Sequence, residues 1–152
     1  MFKNILVPTD GSDLSTSTVR RAVSFAQEAG AKILFFYAQP DFPMPIYGEG
    51  ALIDPTTPEQ FAASAKAEAD RILAEAKAMA DASSVESSCD TVVNEVPYEA
   101  IIEAARRHGC DLIFMSSHGR RGLASLLLGS ETQKVLTHCR IPVLVYREEP
   151  AA

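Results

Sequence analysis

The sequence is poor in the features that several classes of protein require. Its 152 residues include no tryptophan and three cysteines, and 14 basic residues face 20 acidic ones, for a net charge of −6. A general binder of nucleic acid or of anionic membrane needs a positive field, so we expect neither partner. No apolar run reaches the roughly 18 residues that suggest a membrane span. We also expect no secretory signal, because the first residues include no charged leader, no long apolar region and no small-residue cleavage site. We therefore expect a cytoplasmic protein.

The cysteines do not form a recognisable metal or disulfide pattern. Cys89, Cys110 and Cys139 are odd in number, include no Cys-x-x-Cys pair and have no histidine at a zinc-finger spacing. We expect three reduced thiols packed as small apolar groups.

The chain length fits one domain with a core of its own. Hydrophobic residues make up 47% of the sequence, which is typical of a globular protein. No repeat or change of composition marks a linker. We expect a single domain over residues 1–147 and a frayed tail over residues 148–152.

Five short apolar runs alternate with four helical patterns. The runs cover residues 5–7, 33–37, about 86–94, 112–115 and 143–146. This alternation predicts an α/β protein with a single doubly wound, five-stranded parallel sheet, Rossmann-like, with helices on both faces.

Two helix starts and one long loop can be located from local signals. Ser12 or Ser15 is expected to cap the first helix, and Thr57 with Gln60 forms a capping box at the start of the second. Residues 39–58 contain five prolines and two glycines, which predict a long loop between these helices.

The loops after the first and fourth strands are the expected ligand site. In doubly wound sheets, ligands bind beyond the carboxyl ends of the strands, where the strand order reverses. Gly129 and Ser130 open a helix, whose N–H groups suit a phosphate, although Ser130 with Gln133 also matches a capping box. Arg120 and Arg121 are either phosphate ligands or a solvated surface pair. Residues 115–147 hold five basic residues and one acidic residue, so this segment is basic within an acidic chain.

Several motifs together carry a resemblance to a known family. They are Ile5-Leu6-Val7-Pro8-Thr9-Asp10-Gly11-Ser12, Met115-Ser116-Ser117-His118-Gly119-Arg120-Arg121-Gly122-Leu123, Leu127-Leu128-Gly129-Ser130 and Ile141-Pro142-Val143-Leu144-Val145. With these motifs the chain resembles the universal stress protein family over nearly its full length. The nucleotide-binding branch of that family has a glycine, two residues, a glycine, nine residues, and then glycine with serine or threonine. Gly119, the next nine residues, Gly129 and Ser130 match the second half of this pattern, whereas Ser116 replaces its first glycine.

The resemblance implies that the chain binds ATP or another adenine nucleotide, with or without Mg²⁺. The residues implied as nucleotide contacts are Pro8, Thr9, Asp10, Ala38 (just after the second strand), Met115, Ser116, His118, Gly119, Arg120, Gly122, Gly129, Ser130, Glu131 and Thr132. Glu131 is an unfavourable neighbour for a phosphate unless its carboxylate points away or helps to hold a metal ion. The resemblance also implies a homodimer formed through the last strand, Val143, Leu144, Val145 and Tyr146, as an edge that a second subunit covers.

The expected function is that of a stress-response protein that binds ATP and hydrolyses it little or not at all. One alternative is a dimeric interaction protein of the same fold that has lost nucleotide binding, which Ser116 favours. Another is a slow ATP hydrolase, for which the sequence offers no clear base and metal pair. We assign no catalytic residue, because the hydrolase elbow and the P-loop motif are both missing.

Two further side chains near this site have competing interpretations. His118 is either a general base or phosphate contact, or a hydrogen-bonding surface residue, and the second interpretation is favoured. Asp10 and Asp13 either help to bind a metal ion or, as is commoner at this spacing, cap a helix.

Overall fold

The structure is a computed structural model that describes residues 1–42, 57–118 and 128–148. Strands and helices alternate along these residues. In chain order they are β1 (Asn4–Pro8), α1 (Asp13–Ala29), β2 (Lys32–Gln39), α2 (Pro58–Ala82), β3 (Ser87–Val93), α3 (Pro97–Arg107), β4 (Leu112–Ser116), α4 (Ser130–His138) and β5 (Val143–Tyr146).

The five strands form one parallel sheet in the order β3-β2-β1-β4-β5. The order reverses between β1 and β4, which confirms the predicted doubly wound fold. β1 pairs with β2 from Asn4 to Pro8, but it pairs with β4 only at Ile5 and Leu6. Pro8, which has no N–H to donate, therefore lies beyond the ladder with β4. The crevice expected at a point of strand reversal begins at this end of the two strands.

Helices cover both faces of the sheet. Ile5 and Val7 of β1 belong to a core layer shared with α1 and α2, whereas Leu6 between them belongs to a layer shared with α3 and α4. Alternate residues of one strand are thus buried on opposite faces. This double burial is why β1, β2 and β4 appear in the sequence as nearly continuous apolar runs, whereas β3 is partly exposed and largely polar.

The helix starts follow the predicted caps for α1 and α2. The Ser12 hydroxyl accepts a hydrogen bond from the backbone N of Ser15 at 3.2 Å, so Ser12 is the N-cap of α1. Thr57 and Gln60 form the complete capping box at the start of α2. Side-chain oxygens satisfy N–H groups that the first turn leaves without helical partners, which fixes where each helix begins.

The predicted capping box of Ser130 with Gln133 is wrong. The N-cap of α4 is Gly129, so Ser130 is already the first helical residue, and no side chain caps the helix. The side-chain amide of Gln133 instead donates to the carbonyl oxygen of Leu128 at 2.9 Å. Glycine has no side chain with which to accept a hydrogen bond, so the first turn of α4 keeps its N–H groups free of a local side-chain partner.

β2 is longer than predicted, and Ala38 lies within it rather than after it. Ala38 pairs with Val92 of β3, and the strand continues to Gln39. The Thr91 hydroxyl donates to the Tyr37 carbonyl oxygen at 2.7 Å and accepts from the Gln39 side chain at 3.1 Å. Pairing with β3 therefore extends β2 up to Gln39, the residue before Pro40. Residues 43–56 of the predicted long loop lie outside the described residues.

Three smaller expectations can be compared with the structure. All three cysteines are free, but only Cys110 is buried as expected; Cys139 is partly buried, and Cys89 is exposed, so the expectation of packed thiols is wrong for Cys89. Within the described ranges, no helix combines the length and the apolar character needed to cross a membrane. Glu148 accepts a hydrogen bond from the Ser17 hydroxyl at 3.2 Å, and the rest of the predicted tail, residues 149–152, is not among the described residues.

Candidate functional site

The turn after β1 is built around a buried pair of hydroxyl groups. The backbone N of Thr9 donates to the carbonyl oxygen of Phe36 in β2 at 2.9 Å. The hydroxyl of Ser15 donates to that of Thr9 at 2.7 Å and accepts from the backbone N of Asp10 at 3.1 Å. Thr9 and Ser15 are both nearly inaccessible to solvent, with 7% and 4% exposed. Ser15 therefore fixes the backbone at Thr9 and Asp10 from the first turn of α1.

The carboxylate of Asp10 is oriented by the residue that follows the turn. Its Oδ1 accepts a hydrogen bond from the backbone N of Ser12 at 2.9 Å, an Asx turn leading into α1. Asp13 is the first residue of α1, where a negative charge is favourable near the helix N-terminus. Over the described ranges, no three His, Cys, Asp or Glu side chains are grouped so as to hold a metal ion.

The end of β4 is tied to β5 and to its own loop. The hydroxyl of Ser116 donates to the carbonyl oxygen of His118 at 2.7 Å, so it is used within the loop. Ser117 is 2% exposed, and its backbone N donates to the carbonyl oxygen of Tyr146 at 2.9 Å. The Ser117 hydroxyl lies 3.0 Å from His118 Nδ1, so His118 is a hydrogen-bonding residue, and its role towards a ligand remains a prediction.

The first turn of α4 is fixed against the end of β4. The backbone N of Gly129 donates to the carbonyl oxygen of Ser117 at 2.6 Å, and the hydroxyl of Thr132 donates to the carbonyl oxygen of Ser116 at 2.9 Å. Thr132 is buried. These two bonds place the N-terminus of a helix without a side-chain cap beside the last residues of β4. A helix N-terminus in this position favours a negatively charged ligand.

Glu131 is directed towards α3. Its Oε2 accepts a hydrogen bond from the backbone N of Tyr98 at 2.9 Å, and its Oε1 lies 3.6 Å from Nζ of Lys134. The carboxylate that sequence analysis identified as an unfavourable neighbour for phosphate is thus engaged by another helix.

The structure brings most of the predicted contacts to the carboxyl ends of β1 and β4. These contacts are Pro8, Thr9, Asp10, Ser116, His118, Gly129, Ser130, Glu131 and Thr132. Met115 is buried in the core layer of α3 and α4, and Ala38 lies inside β2. Gly119, Arg120 and Gly122 lie outside the described residues.

Two residues that shape this region, Ser15 and Ser117, are not among the predicted nucleotide contacts. Ser15 is predicted only as a possible cap of the first helix. The sequence feature that could have indicated its role is the presence of Ser12 and Ser15 shortly after Asp10. Ser117 carried no signal apart from its place in the motif, because its role depends on pairing with β5.

Comparison with known proteins agrees with this fold. The model of the Universal stress protein family matches residues 1–147. A universal stress protein of Thermus aquaticus is 35% identical over 147 residues, covering 97% of this chain and 100% of the relative. A second one, from Methanocaldococcus jannaschii, is 31% identical over 151 residues, covering 97% of this chain and 84% of the relative.

Solved structures give the same result. A universal stress protein in complex with cAMP has a TM-score of 0.68 and 27% identity, covering 95% of this chain and 97% of its own. A universal stress protein from Archaeoglobus fulgidus in complex with dAMP has a TM-score of 0.63 over 95% of this chain and 97% of its own, and at 19% identity it shows the fold alone. From the family match and these relatives, the chain belongs to the universal stress protein family.

Proposed function

We propose that this protein binds ATP as a stress-response regulatory protein and hydrolyses it little or not at all. The observation that carries the proposal is the N-terminus of α4, which has no side-chain cap and is fixed by Gly129 and Thr132 beside the end of β4. It lies at the point of strand reversal, at the same end of the sheet as the turn that holds Asp10, because β1 and β4 are adjacent parallel strands. Backbone N–H groups there suit phosphate, and a relative crystallised with cAMP supports an adenine nucleotide.

The same proposal extends to the metal, the assembly and the location. Mg²⁺ would accompany ATP mainly through phosphate oxygens and water, which is its usual coordination with nucleotides. A homodimer would form through β5, and neither nucleic acid nor membrane would be a partner. The three free thiols support a reducing compartment, the cytoplasm.

Nucleotide binding is tested directly. The purified protein is denatured and assayed for released nucleotide, and the apo form is then titrated with ATP, AMP and cAMP, with and without Mg²⁺. We expect saturable binding, with phosphate release at or near the background rate. No released nucleotide and no binding at millimolar ATP with Mg²⁺ would overturn the proposal. Steady release of phosphate from ATP would instead favour the alternative function of a slow ATP hydrolase.

A substitution at Gly129 tests the location of the site. Gly129 has φ −60° and ψ 152°, an extended conformation that any residue adopts. Gly129→Val places a branched side chain where backbone is proposed to meet phosphate, so ATP binding should be lost while the circular dichroism spectrum persists. Gly129→Ala, with a smaller side chain, should weaken binding less. Unchanged affinity in the valine variant would place the site elsewhere.

The second candidate function is a dimeric interaction protein without a nucleotide. It is favoured by Ser116, whose hydroxyl is bonded to His118 within the loop and whose side chain stands where the binding pattern has glycine. Ser116→Gly should increase ATP affinity if this side chain restricts the site. A protein that binds no nucleotide in either form would support the second candidate.

A further inference from the structure

We propose that Glu131 is a positioning residue, which caps α3 and thereby fixes the first turn of α4, the proposed phosphate-binding turn. The inference rests on the proposed function for its ligand. The carboxylate belongs to α4, but its hydrogen bond is made to the backbone N of Tyr98 in α3. Glu131 therefore links the N-termini of two helices.

The start of α3 lacks a cap of its own. Its N-cap residue is Val96, which makes no side-chain cap, and its first helical residue is Pro97, which has no N–H. Tyr98 thus supplies the first backbone N–H of the helix. Such N–H groups have no partner within the helix and need one from elsewhere. The Oε2 of Glu131 provides it at 2.9 Å, with the negative charge at the positive end of α3.

Three side chains on one face of α4 contact Tyr98. Glu131 bonds its backbone, Lys134 Nζ lies 5.6 Å from the centre of its ring, and the His138 ring stacks on it at 5.2 Å. Residues three and four apart share a face of a helix, so a single face of α4 holds Tyr98. The Glu131 carboxylate also lies within 3.6 Å of the Lys134 ammonium group.

This arrangement explains how an acidic residue can stand next to a proposed phosphate site. α4 has nine residues, and a helix of that length is marginal without tertiary contacts. Thr132 holds its first turn to β4, and Glu131 holds the same turn to α3. The charge of Glu131 is balanced by the α3 N-terminus and by Lys134, so its repulsion of a phosphate is reduced.

The test compares Glu131→Ala and Glu131→Gln with the unsubstituted protein. Glu103→Ala, which removes an exposed carboxylate on α3, is the matched control. Amide hydrogen exchange is measured at residues 98 and 130–132, and ATP affinity by calorimetry. Glu131→Ala should speed exchange at Tyr98 roughly tenfold, the loss of one hydrogen bond to a charged group, and should weaken ATP binding severalfold. Glu131→Gln retains an acceptor oxygen, so it should keep most of the protection from exchange at Tyr98 and most of the ATP affinity. The control, Glu103→Ala, should change neither the exchange rates nor the affinity.

Four outcomes would overturn the inference. Unchanged exchange at Tyr98 in Glu131→Ala would show that the hydrogen bond between Glu131 and the Tyr98 backbone does not stabilise the start of α3. Unchanged exchange at residues 130–132 would show that this hydrogen bond does not fix the first turn of α4. Tighter ATP binding in both variants would mean that Glu131 repels phosphate directly. Equal weakening in both, present only with Mg²⁺, would make it a metal ligand. If the parent protein binds no nucleotide, the proposed function fails, and exchange at the four amides still decides whether Glu131 fixes α4.

Discussion

Ile72 of α2 packs against Gly11 so closely that a Cβ added at Gly11 would lie 2.9 Å from Cγ1 of Ile72, and α2 thus covers the turn that follows β1. Gly11 also has φ +79°, in the left-handed region that glycine adopts more easily than other residues. The neighbouring residues Asp10 and Ser12 form the Asx turn into α1. A side chain at position 11 would therefore disturb both the packing of α2 and the geometry at Asp10.

Gly11→Ala should lower the free energy of unfolding by about 2–3 kcal/mol, from backbone strain and a steric clash together. Gly30→Ala is the matched control, because Gly30 has φ +64° but no atom within 4 Å of its Cβ position. It should cost about 1 kcal/mol, from the backbone alone. Denaturant unfolding measures both values, and equal losses would contradict the proposed clash with Ile72.

Ser15→Ala should destabilise the protein by about 1–2 kcal/mol, because it removes the hydrogen bonds that the Ser15 hydroxyl makes with the Thr9 hydroxyl and the Asp10 N–H in a turn with little solvent access. Ser24→Ala, on the exposed side of the same helix, should be neutral or slightly stabilising, because alanine is the better helix former. If nucleotide binding depends on the Asp10 turn, Ser15→Ala should also weaken ATP binding. Equal unfolding curves for the two variants would contradict the role given to Ser15.

Asp90 should stabilise the fold in a pH-dependent manner. Partial burial tends to raise the pKa of this carboxyl, but hydrogen bonds with His108 and Arg107 outweigh it, so the pKa lies below its ordinary value. The unfolded chain then binds the proton more readily than the folded protein. The stabilisation is fully present above the unfolded pKa of about 4 and is lost as the pH falls through the folded value.

Asp90→Asn should therefore lower the free energy of unfolding by roughly 1 kcal/mol at pH 7, and by less at pH 3, below the pKa of the unfolded chain. Asp70→Asn, which removes an exposed partner of Lys66, should have little effect at either pH. Urea unfolding at a series of pH values measures the difference. A loss in Asp90→Asn that is the same at pH 3 and pH 7 would be inconsistent with a charge effect.

Cys110 should be chemically inert in the folded protein. Burial, with a smaller contribution from Asp111, raises the pKa of its thiol to about 11, and the thiolate is the reactive form. At pH 8, iodoacetamide should modify Cys89, which is exposed, well before Cys110, as read by mass spectrometry of peptides. In denaturant, both should react at similar rates. Rapid modification of native Cys110 would contradict its burial.

The raised pKa of Cys110 also has a consequence for stability in base. The folded protein holds this proton more tightly than the unfolded chain, whose cysteine has a pKa of about 8.5. The corresponding stabilisation is present below that value and is lost as the pH rises towards 11. In a Cys110→Ala variant, the free energy of unfolding should therefore fall less between pH 8.5 and about 11 than it does in the parent protein.

The proposed dimer predicts a difference between the two edges of the sheet. Val145→Lys, in β5, should shift the sedimentation profile from dimer to monomer, because a lysine on an edge strand opposes pairing. Val93→Lys, in β3 at the other edge, should leave the profile unchanged, since Val93 is already 58% exposed. A monomeric parent protein, or a dimer in both variants, would count against assembly through β5.

Local signals and periodicity determined most of the fold. Thr57 and Gln60 form a capping box in the structure as they do in the sequence, because this interaction lies within one helical turn. The alternating pattern predicted all five strands, and the signal is clearest for β1, β2 and β4, which are largely buried on both faces and largely apolar. β3 is mostly polar and partly exposed. The end of β2 was missed because Thr91 and Gln39 hold it through contacts with another strand.

For the candidate site too, some features follow from the sequence alone and others only from the tertiary structure. The motifs around Asp10 and Gly129, and the basic segment of residues 115–147 that contains Gly129, are properties of the sequence alone. The orientation of Glu131 towards Tyr98, the burial of Ser15 against Thr9, and the fit of Gly11 under Ile72 join residues that are brought together only when the helices pack on the sheet. The sequence by itself therefore determined the family resemblance, the elements and the end of the sheet at which a ligand is expected. Only the tertiary structure decided where the charged and hydroxyl side chains point, because their hydrogen-bond partners lie on other elements.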